Sequence, residues 1–335
     1  MHMQRLCYFL GLLGLSLSLF SCSRANRQAV AVSPNSTSQV AEPNSLGLPK
    51  GTLHEAELLV AGETRSFIYY LPAKLDPVGA PLVFMLHGGG GLGNSAMTLT
   101  TQERWNTLAD QHGFIVAYPD GMNRRWNDCR SDWDNPSTSD DVQFISTLID
   151  HFAQTYSIDQ TRVYATGHSN GSMMSLRLAL ELPDRIAAVV GSAGYMAQNS
   201  QCKMLGTPAP LMLLAGTADP IMPYAGGLID IPGDSQQGQV LSAEATIQMW
   251  LDMLSITNQP SISHLPDINP DDHSTVTINT YQDNLVRFYR IDGGGHTWPS
   301  LEEPARLQQR QNPHNRDFYA ADAAWEFMQQ HRLGQ

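Results

Sequence analysis

Gly167-His168-Ser169-Asn170-Gly171 lies between a strand-like run, Arg162-Val163-Tyr164-Ala165-Thr166, and a helix-like run rich in Met and Leu, Met173 to Leu182. Gly-x-Ser-x-Gly between a strand and a helix is the spacing of a nucleophile elbow. In so sharp a turn the serine is held in a strained backbone conformation, and the flanking glycines let strand and helix approach without a Cβ clash. The hydroxyl then projects above the sheet. The unpaired N–H groups of the helix start, with the positive end of its dipole, favour negative charge developing beside Ser169. The same five letters also describe a Gly/Ser turn with no chemistry, so the pattern counts only if partners stand elsewhere in the chain.

Outward from the elbow, strand-like and helix-like segments alternate. Leu82-Val83-Phe84-Met85-Leu86, Phe114 to Tyr118, Ile186 to Val190 and Leu211 to Ala215 are short apolar runs, as expected of strands buried on both faces of a parallel sheet. Thr101 to Gln111 reads as a helix closed by Gly113, and Asp140 to Tyr156 as an amphipathic helix begun by Ser139, with Val142, Ile145, Leu148, Ile149 and Phe152 on one face. Asp141 in that helix reads as structural. A hairpin, Ala56 to Val60 and Ser66 to Leu71, precedes these elements, and a helix, Tyr319 to His331, follows them. The alternation predicts an α/β fold, with functional loops at the carboxyl ends of the strands. Ser169, the cluster His87-Gly88-Gly89-Gly90-Gly91 and Asp219 all fall at such ends.

The glycine cluster has two readings. Gly88, Gly90 and Gly93 fit a dinucleotide fingerprint, but no clear helix opens there and Asp120 lies too far on for a ribose contact. The second reading, favoured by the serine elbow downstream, is the esterase loop whose N–H groups form half of an oxyanion hole. An elbow serine also needs a carboxylate and then a histidine, in that chain order. Asp219, in Gly216-Thr217-Ala218-Asp219-Pro220 just past a buried strand, fits the first. His296, in Gly293-Gly294-Gly295-His296-Thr297-Trp298-Pro299 after the strand Val286 to Ile291, fits the second. His264 and His273 stand in a polar stretch that reads as an exposed excursion, while His87 and His168 sit inside backbone motifs and read as structural or rim residues. The chemistry expected is acyl transfer: Ser169 attacks, His296 moves the proton, Asp219 orients the imidazole, and the N–H groups of Asn170 and Gly89 hold the oxyanion.

Six segments together resemble a known family: Leu86 to Gly91, Tyr118-Pro119-Asp120-Gly121, Asp140-Asp141-Val142, Tyr164 to Gly171, Gly216 to Pro220 and Gly293 to Pro299. They are similar to the esterase/polyhydroxybutyrate depolymerase group of α/β-hydrolases, which includes feruloyl and acetylxylan esterases and LpqC-like lipoproteins. The resemblance implies the α/β-hydrolase fold over residues 51–335 and ester hydrolysis, more firmly than any one ester. Ser172 departs from it, standing where the family commonly has a second glycine, which bears on packing behind the elbow.

The chain has 335 residues, 42% of them hydrophobic, and a formal charge of −12. That argues against nucleic acid or an anionic membrane surface as partner. Arg5 and the apolar run Leu6 to Phe20 read as an export signal over residues 1–21, too short for a membrane span. Leu19-Phe20-Ser21-Cys22 resembles a lipobox, making Cys22 a candidate lipidation site in the bacterial envelope, with ordinary cleavage and secretion as the alternative. Residues 22–50, rich in Ser, Asn, Gln and Pro, read as a flexible tether. Of the four cysteines, Cys129 and Cys202 are the pair in the folded part, expected as a disulfide in an exported protein. No zinc spacing is present, and Asp128, Asp132, Asp134 and Asn135 lack the glycine of a calcium loop, so they read as a solvated acidic loop and no metal or cofactor is implied.

For the substrate, Trp298, with Trp126 and Trp133 of the long loop and Tyr224, are candidate pocket walls suited to an aromatic acyl group or a sugar ring. Loop tryptophans equally often only pack a loop down. The preferred ester is an aryl or acetyl ester of carbohydrate, with a short polyester such as polyhydroxybutyrate as alternative. A non-catalytic binding lipoprotein and a serine peptidase share the same motifs.

Overall fold

The apolar runs become strands because each must bury both faces, and the alternation of side chains divides them between two layers. Leu82, Phe84 and Leu86 belong to one core, Val83 and Met85 to the other. The computed structural model describes residues 49–133, 137–231, 237–304 and 312–334. The expected leader, Cys22, all but the end of the tether, Asp134 and Asn135 lie outside the described residues.

A hairpin of β1 (Thr52–Val60) and β2 (Glu63–Leu71) leads in. Then come β3 (Leu82–Leu86), β4 (Ile115–Pro119), β5 (Val163–His168), β6 (Ala188–Ser192), β7 (Leu211–Gly216), a short pair β8 (Gly227–Leu228) and β9 (Gln239–Val240), and finally β10 (Ser261–His264), β11 (Thr275–Tyr281) and β12 (Val286–Asp292). The helices are a single turn α1 (Gly93–Ser95), α2 (Arg104–His112), α3 (Asp141–Tyr156), α4 (Asn170–Glu181), α5 (Ala243–Met253) and α6 (Ala320–Met328). The main sheet has ten strands in the order β1-β2-β4-β3-β5-β6-β7-β12-β11-β10. From β4 to β12 all neighbours are parallel. The two ends are antiparallel.

Helices cover both faces. Phe144, Ile145, Leu148, Ile149 and Phe152 of α3 join Leu176 and Leu180 of α4 and Trp250 of α5 in one core. Trp105 and Leu108 of α2 meet Trp325 and Phe327 of α6 in the other. Each fully buried side chain of this size is worth about 1.5–3 kcal/mol.

Three local expectations shift. The second helix begins at Arg104, not Thr101, because Gln102 and Glu103 take left-handed φ values of 50° and 57°. The cap of α3 is Asp140, whose Oδ1 accepts the Gln143 N–H at 2.9 Å, rather than Ser139. The polar stretch holding His264 and His273 is not wholly an excursion, since β10 and β11 extend the sheet beyond β12. β10 is exposed along its whole length, so it carries no apolar alternation to read.

Candidate active site

Strand register brings the candidate residues to one edge. Leu86 pairs with Gly167, His168 with Ser192, and Ile291 with Gly216, so the loops after β3, β5, β6, β7 and β12 start side by side. Ser169 has φ 58° and ψ −122°, a costly conformation for a residue with a Cβ. It is held there by its N–H donating to Ser192 O at 2.8 Å and by the first bond of α4, Met173 N–H to Ser169 O at 3.1 Å. The elbow glycines are required by contact: a Cβ on Gly167 would overlap the backbone of Gly171, and one on Gly171 the carbonyls of Leu86 and His87. Ser172 is accommodated because β6 and its following loop supply Gly191 and Gly194 opposite it. Its hydroxyl donates to Gly194 O at 2.7 Å.

Asp219 and His296 meet although 77 residues apart: His296 Nδ1 lies 2.8 Å from Asp219 Oδ2, with the aspartate side chain wholly buried. A carboxylate only accepts, so Nδ1 carries the hydrogen and Nε2 is left to take a proton. The other aspartate oxygen accepts the N–H groups of Ile221 and Met222, each at 2.8 Å, which fixes the carboxylate plane. The loops are tied by Ala218 N–H to Gly294 O at 2.8 Å and Gly293 N–H to Thr217 Oγ1 at 2.9 Å. Ser192 links this pair to the elbow, since its carbonyl holds Ser169 N–H while its hydroxyl donates to Thr297 O at 3.3 Å. The rings of His168 and His296 stand 4.7 Å apart.

In the glycine loop, Gly90 N–H is taken by Arg124 O at 2.8 Å and Gly91 N–H by Gly88 O at 3.0 Å. That leaves the N–H groups of Gly88 and Gly89 for a ligand. These two residues are also the ones beside the elbow: a Cβ on Gly88 would touch Ser169 Cβ at 3.5 Å, and one on Gly89 would touch Asn170 Cβ at 3.8 Å. His87 is structural. Its Nε2 accepts Gly121 N–H at 2.9 Å, its Nδ1 lies 2.8 Å from Gly88 O, and burial pushes its pKa down to about 4.

The aromatic residues need correction. Trp126 is fully buried and belongs to the core, its indole N–H donating to His87 O at 2.9 Å, so it packs the loop beneath the glycine cluster and walls no pocket. Trp298 is buried in the opposite core layer, and the carbonyl of the adjacent Pro299 accepts Ala320 N–H at the start of α6 at 2.9 Å. Trp133 is half-buried with Arg130 at 3.8 Å and Arg125 at 5.2 Å from its ring centre, which occupies its face with cations. Tyr224 stays half-buried, in the loop that follows Asp219.

Of the acidic loop, Asp128 is likewise not solvated: it is buried, paired with Arg130 at 2.7 Å, and accepts Asn170 Nδ2 at 2.7 Å. Asn170 Oδ1 accepts Trp126 N–H at 2.8 Å, so its side chain anchors the loop while its main-chain N–H remains at the start of α4. Asp141 is structural as expected, paired with buried Arg65 at 2.6 Å. Cys129 and Cys202 are bridged, Cα atoms 5.2 Å apart, and Gln201 N–H to Cys129 O at 2.8 Å ties the same segments. With Glu181 they form a His/Cys/Asp/Glu group close enough for a metal, but the bridge consumes both sulfurs. Sequence reasoning missed Asn312, which binds the backbone of His296 with both ends of its amide. It carries no pattern, since its partner is met only in three dimensions.

A family model described as esterase PHB depolymerase matches residues 65–222, a span that contains the glycine loop, Ser169 and Asp219 and stops before His296. The esterase candidate NocK of Nocardia uniformis subsp. tsuyamanensis is 29% identical over 317 residues, covering 88% of this chain and 91% of its own. Feruloyl esterase B of Piromyces equi is 30% identical over 65% of this chain, which spans only 39% of that relative's length. Among solved structures, an acetyl xylan esterase from Aspergillus awamori superposes with a TM-score of 0.55 at 15% identity, over 78% of this chain and 98% of its own, a likeness of fold.

Proposed function

Because the chain belongs to the esterase/polyhydroxybutyrate depolymerase family of α/β-hydrolases, we propose that it hydrolyses carboxylic esters through Ser169, His296 and Asp219. The observation that carries this reading is the 2.8 Å bond between His296 Nδ1 and Asp219 Oδ2 at the same sheet edge as the strained Ser169 elbow. His296 Nε2 removes the Ser169 proton as Oγ attacks the ester carbonyl, and Asp219 stabilises the imidazolium. The tetrahedral oxyanion is held by the N–H groups of Asn170 and Gly89, each worth roughly 3–4 kcal/mol in the transition state. His296 then protonates the leaving alcohol, and water repeats the sequence on the acyl-enzyme.

With two of the tryptophans buried, the substrate preference rests on kinship. Aryl or acetyl esters of carbohydrate are proposed because a feruloyl esterase is among the relatives, with a short polyester as the alternative suggested by the family's description. The disulfide suits an oxidising compartment and supports export, with a lipid anchor at Cys22 as part of the proposal. Ser169→Ala is expected to fold, to lose nearly all turnover of a p-nitrophenyl short-chain ester and to escape fluorophosphonate labelling. Retained turnover would refute the mechanism. A wild-type protein that neither turns over esters nor labels would favour a binding protein. Methyl ferulate, acetylated xylan and polyhydroxybutyrate film, tested side by side, separate the substrates.

A further inference from the structure

A general base works only while its ring stays aligned with the nucleophile, and the Asp219 bond fixes the ring but not the backbone that carries it. That backbone leaves β12 through Gly293-Gly294-Gly295, a run with high intrinsic freedom in which Gly293 already sits at φ 78°. Gly293 and Gly294 are tied to the Asp219 loop, but the grip on the backbone of His296 itself comes from farther down the chain. Asn312 Oδ1 accepts His296 N–H at 2.8 Å while Asn312 Nδ2 donates to His296 O at 2.9 Å. Pro313 O accepts Gly295 N–H at 3.0 Å and the Thr297 hydroxyl at 3.5 Å, so two consecutive residues bracket the histidine on both sides. The fit is close, because a Cβ on Gly295 would overlap Asn312 Oδ1 and crowd Pro313 O at 2.7 Å. A carboxamide offers donor and acceptor side by side, whereas a carboxylate has two acceptors and a hydroxyl too short a reach for both.

Resting on the triad reading above, we propose that Asn312 is a positioning residue for His296: its amide pins the backbone on which the base hangs, so that Nε2 stays in place to exchange protons with Ser169 and the leaving alcohol. The residue acts through His296 and touches no reacting atom. Displacing a catalytic group by about 1 Å can cost on the order of 100-fold in rate. The cost should fall most heavily on alkyl esters, whose alkoxide must be protonated as it leaves, and less on p-nitrophenyl esters, whose phenolate leaves unaided.

The test measures kcat and KM of the purified protein for the methyl and p-nitrophenyl esters of one short acid, in wild type, Ser169→Ala, Asn312→Ala and Asn312→Asp. Asn312→Ala is expected to lose roughly 10- to 100-fold in kcat on the methyl ester, less on the p-nitrophenyl ester, with KM within about twofold. Asn312→Asp keeps the acceptor for His296 N–H but turns an oxygen towards His296 O, and should fall between the two. If Asn312→Ala does not fold, Asn312→Asp carries the same comparison. Equal losses on both esters that track a lowered Tm and recover on cooling would mark a merely structural residue and overturn the proposal. Full activity of Asn312→Ala beside an inert Ser169→Ala would overturn this proposal alone, whereas an active Ser169→Ala would overturn the triad and this role with it.

Discussion

Asp128→Ala tests whether the loop beneath the glycine cluster depends on one buried charge pair. The carboxylate accepts three bonds from the Arg130 guanidinium, Nε at 2.9 and 3.1 Å and Nη2 at 2.7 Å, with both side chains at most 3% exposed. Removing it leaves a buried cation whose remaining partners, among the described residues, are Gln237 O and the Trp133 face. Orphaning one member of a buried pair costs about 3–5 kcal/mol, and the aromatic face offsets at most about 2 of these. A net loss near 3 kcal/mol corresponds to a fall in Tm of about 5 °C for a chain of this size. Urea and thermal unfolding of wild type, Asp128→Ala and the double variant Asp128→Ala/Arg130→Met would measure it. The double variant removes the stranded charge and should recover part of the loss. Turnover should persist in both, since Asn170 keeps its two bonds to Trp126, at 2.8 and 3.1 Å. A single variant within about 1 kcal/mol of wild type, or a double variant no more stable than the single, would refute the reasoning.

The Cys129–Cys202 bridge closes a loop of 73 residues, so Cys129→Ser/Cys202→Ser should lose about 4 kcal/mol by the chain-entropy argument. An unchanged urea midpoint would show that the bridge does not restrain the unfolded chain. His87, held by burial at a pKa of about 4 against 6.5 in the unfolded chain, makes stability pH-dependent. Below pH 6.5 the unfolded state binds a proton that the folded state refuses, so stability is full above that pH and drains as pH falls towards 4, by up to about 3 kcal/mol. Urea titrations at pH 7 and 4.5 should show a shallower fall in His87→Gln, and an identical slope would assign the acid sensitivity to other groups.

Much of the site was legible because its signals are local. The elbow, the glycine loop and the apolar runs of β3, β5 and β7 are set by what a few adjacent residues can do: turn without a Cβ clash, expose N–H groups, or bury both faces of a strand. Chain order then sufficed to choose Asp219 and His296, because an α/β sheet delivers its loops to one edge. The sequence by itself therefore determined the fold class and the identity of the residues that meet. Tertiary structure alone decided which aromatic rings are buried and which charges are paired. Trp126 and Trp298 looked like pocket walls until packing placed them in opposite cores, and Asp128 looked solvated until Arg130 and Asn170 closed over it. Burial and partnership depend on what distant segments bring to the same place, so Asn312, which grips His296 across 16 residues, left no trace in the spacing of the chain.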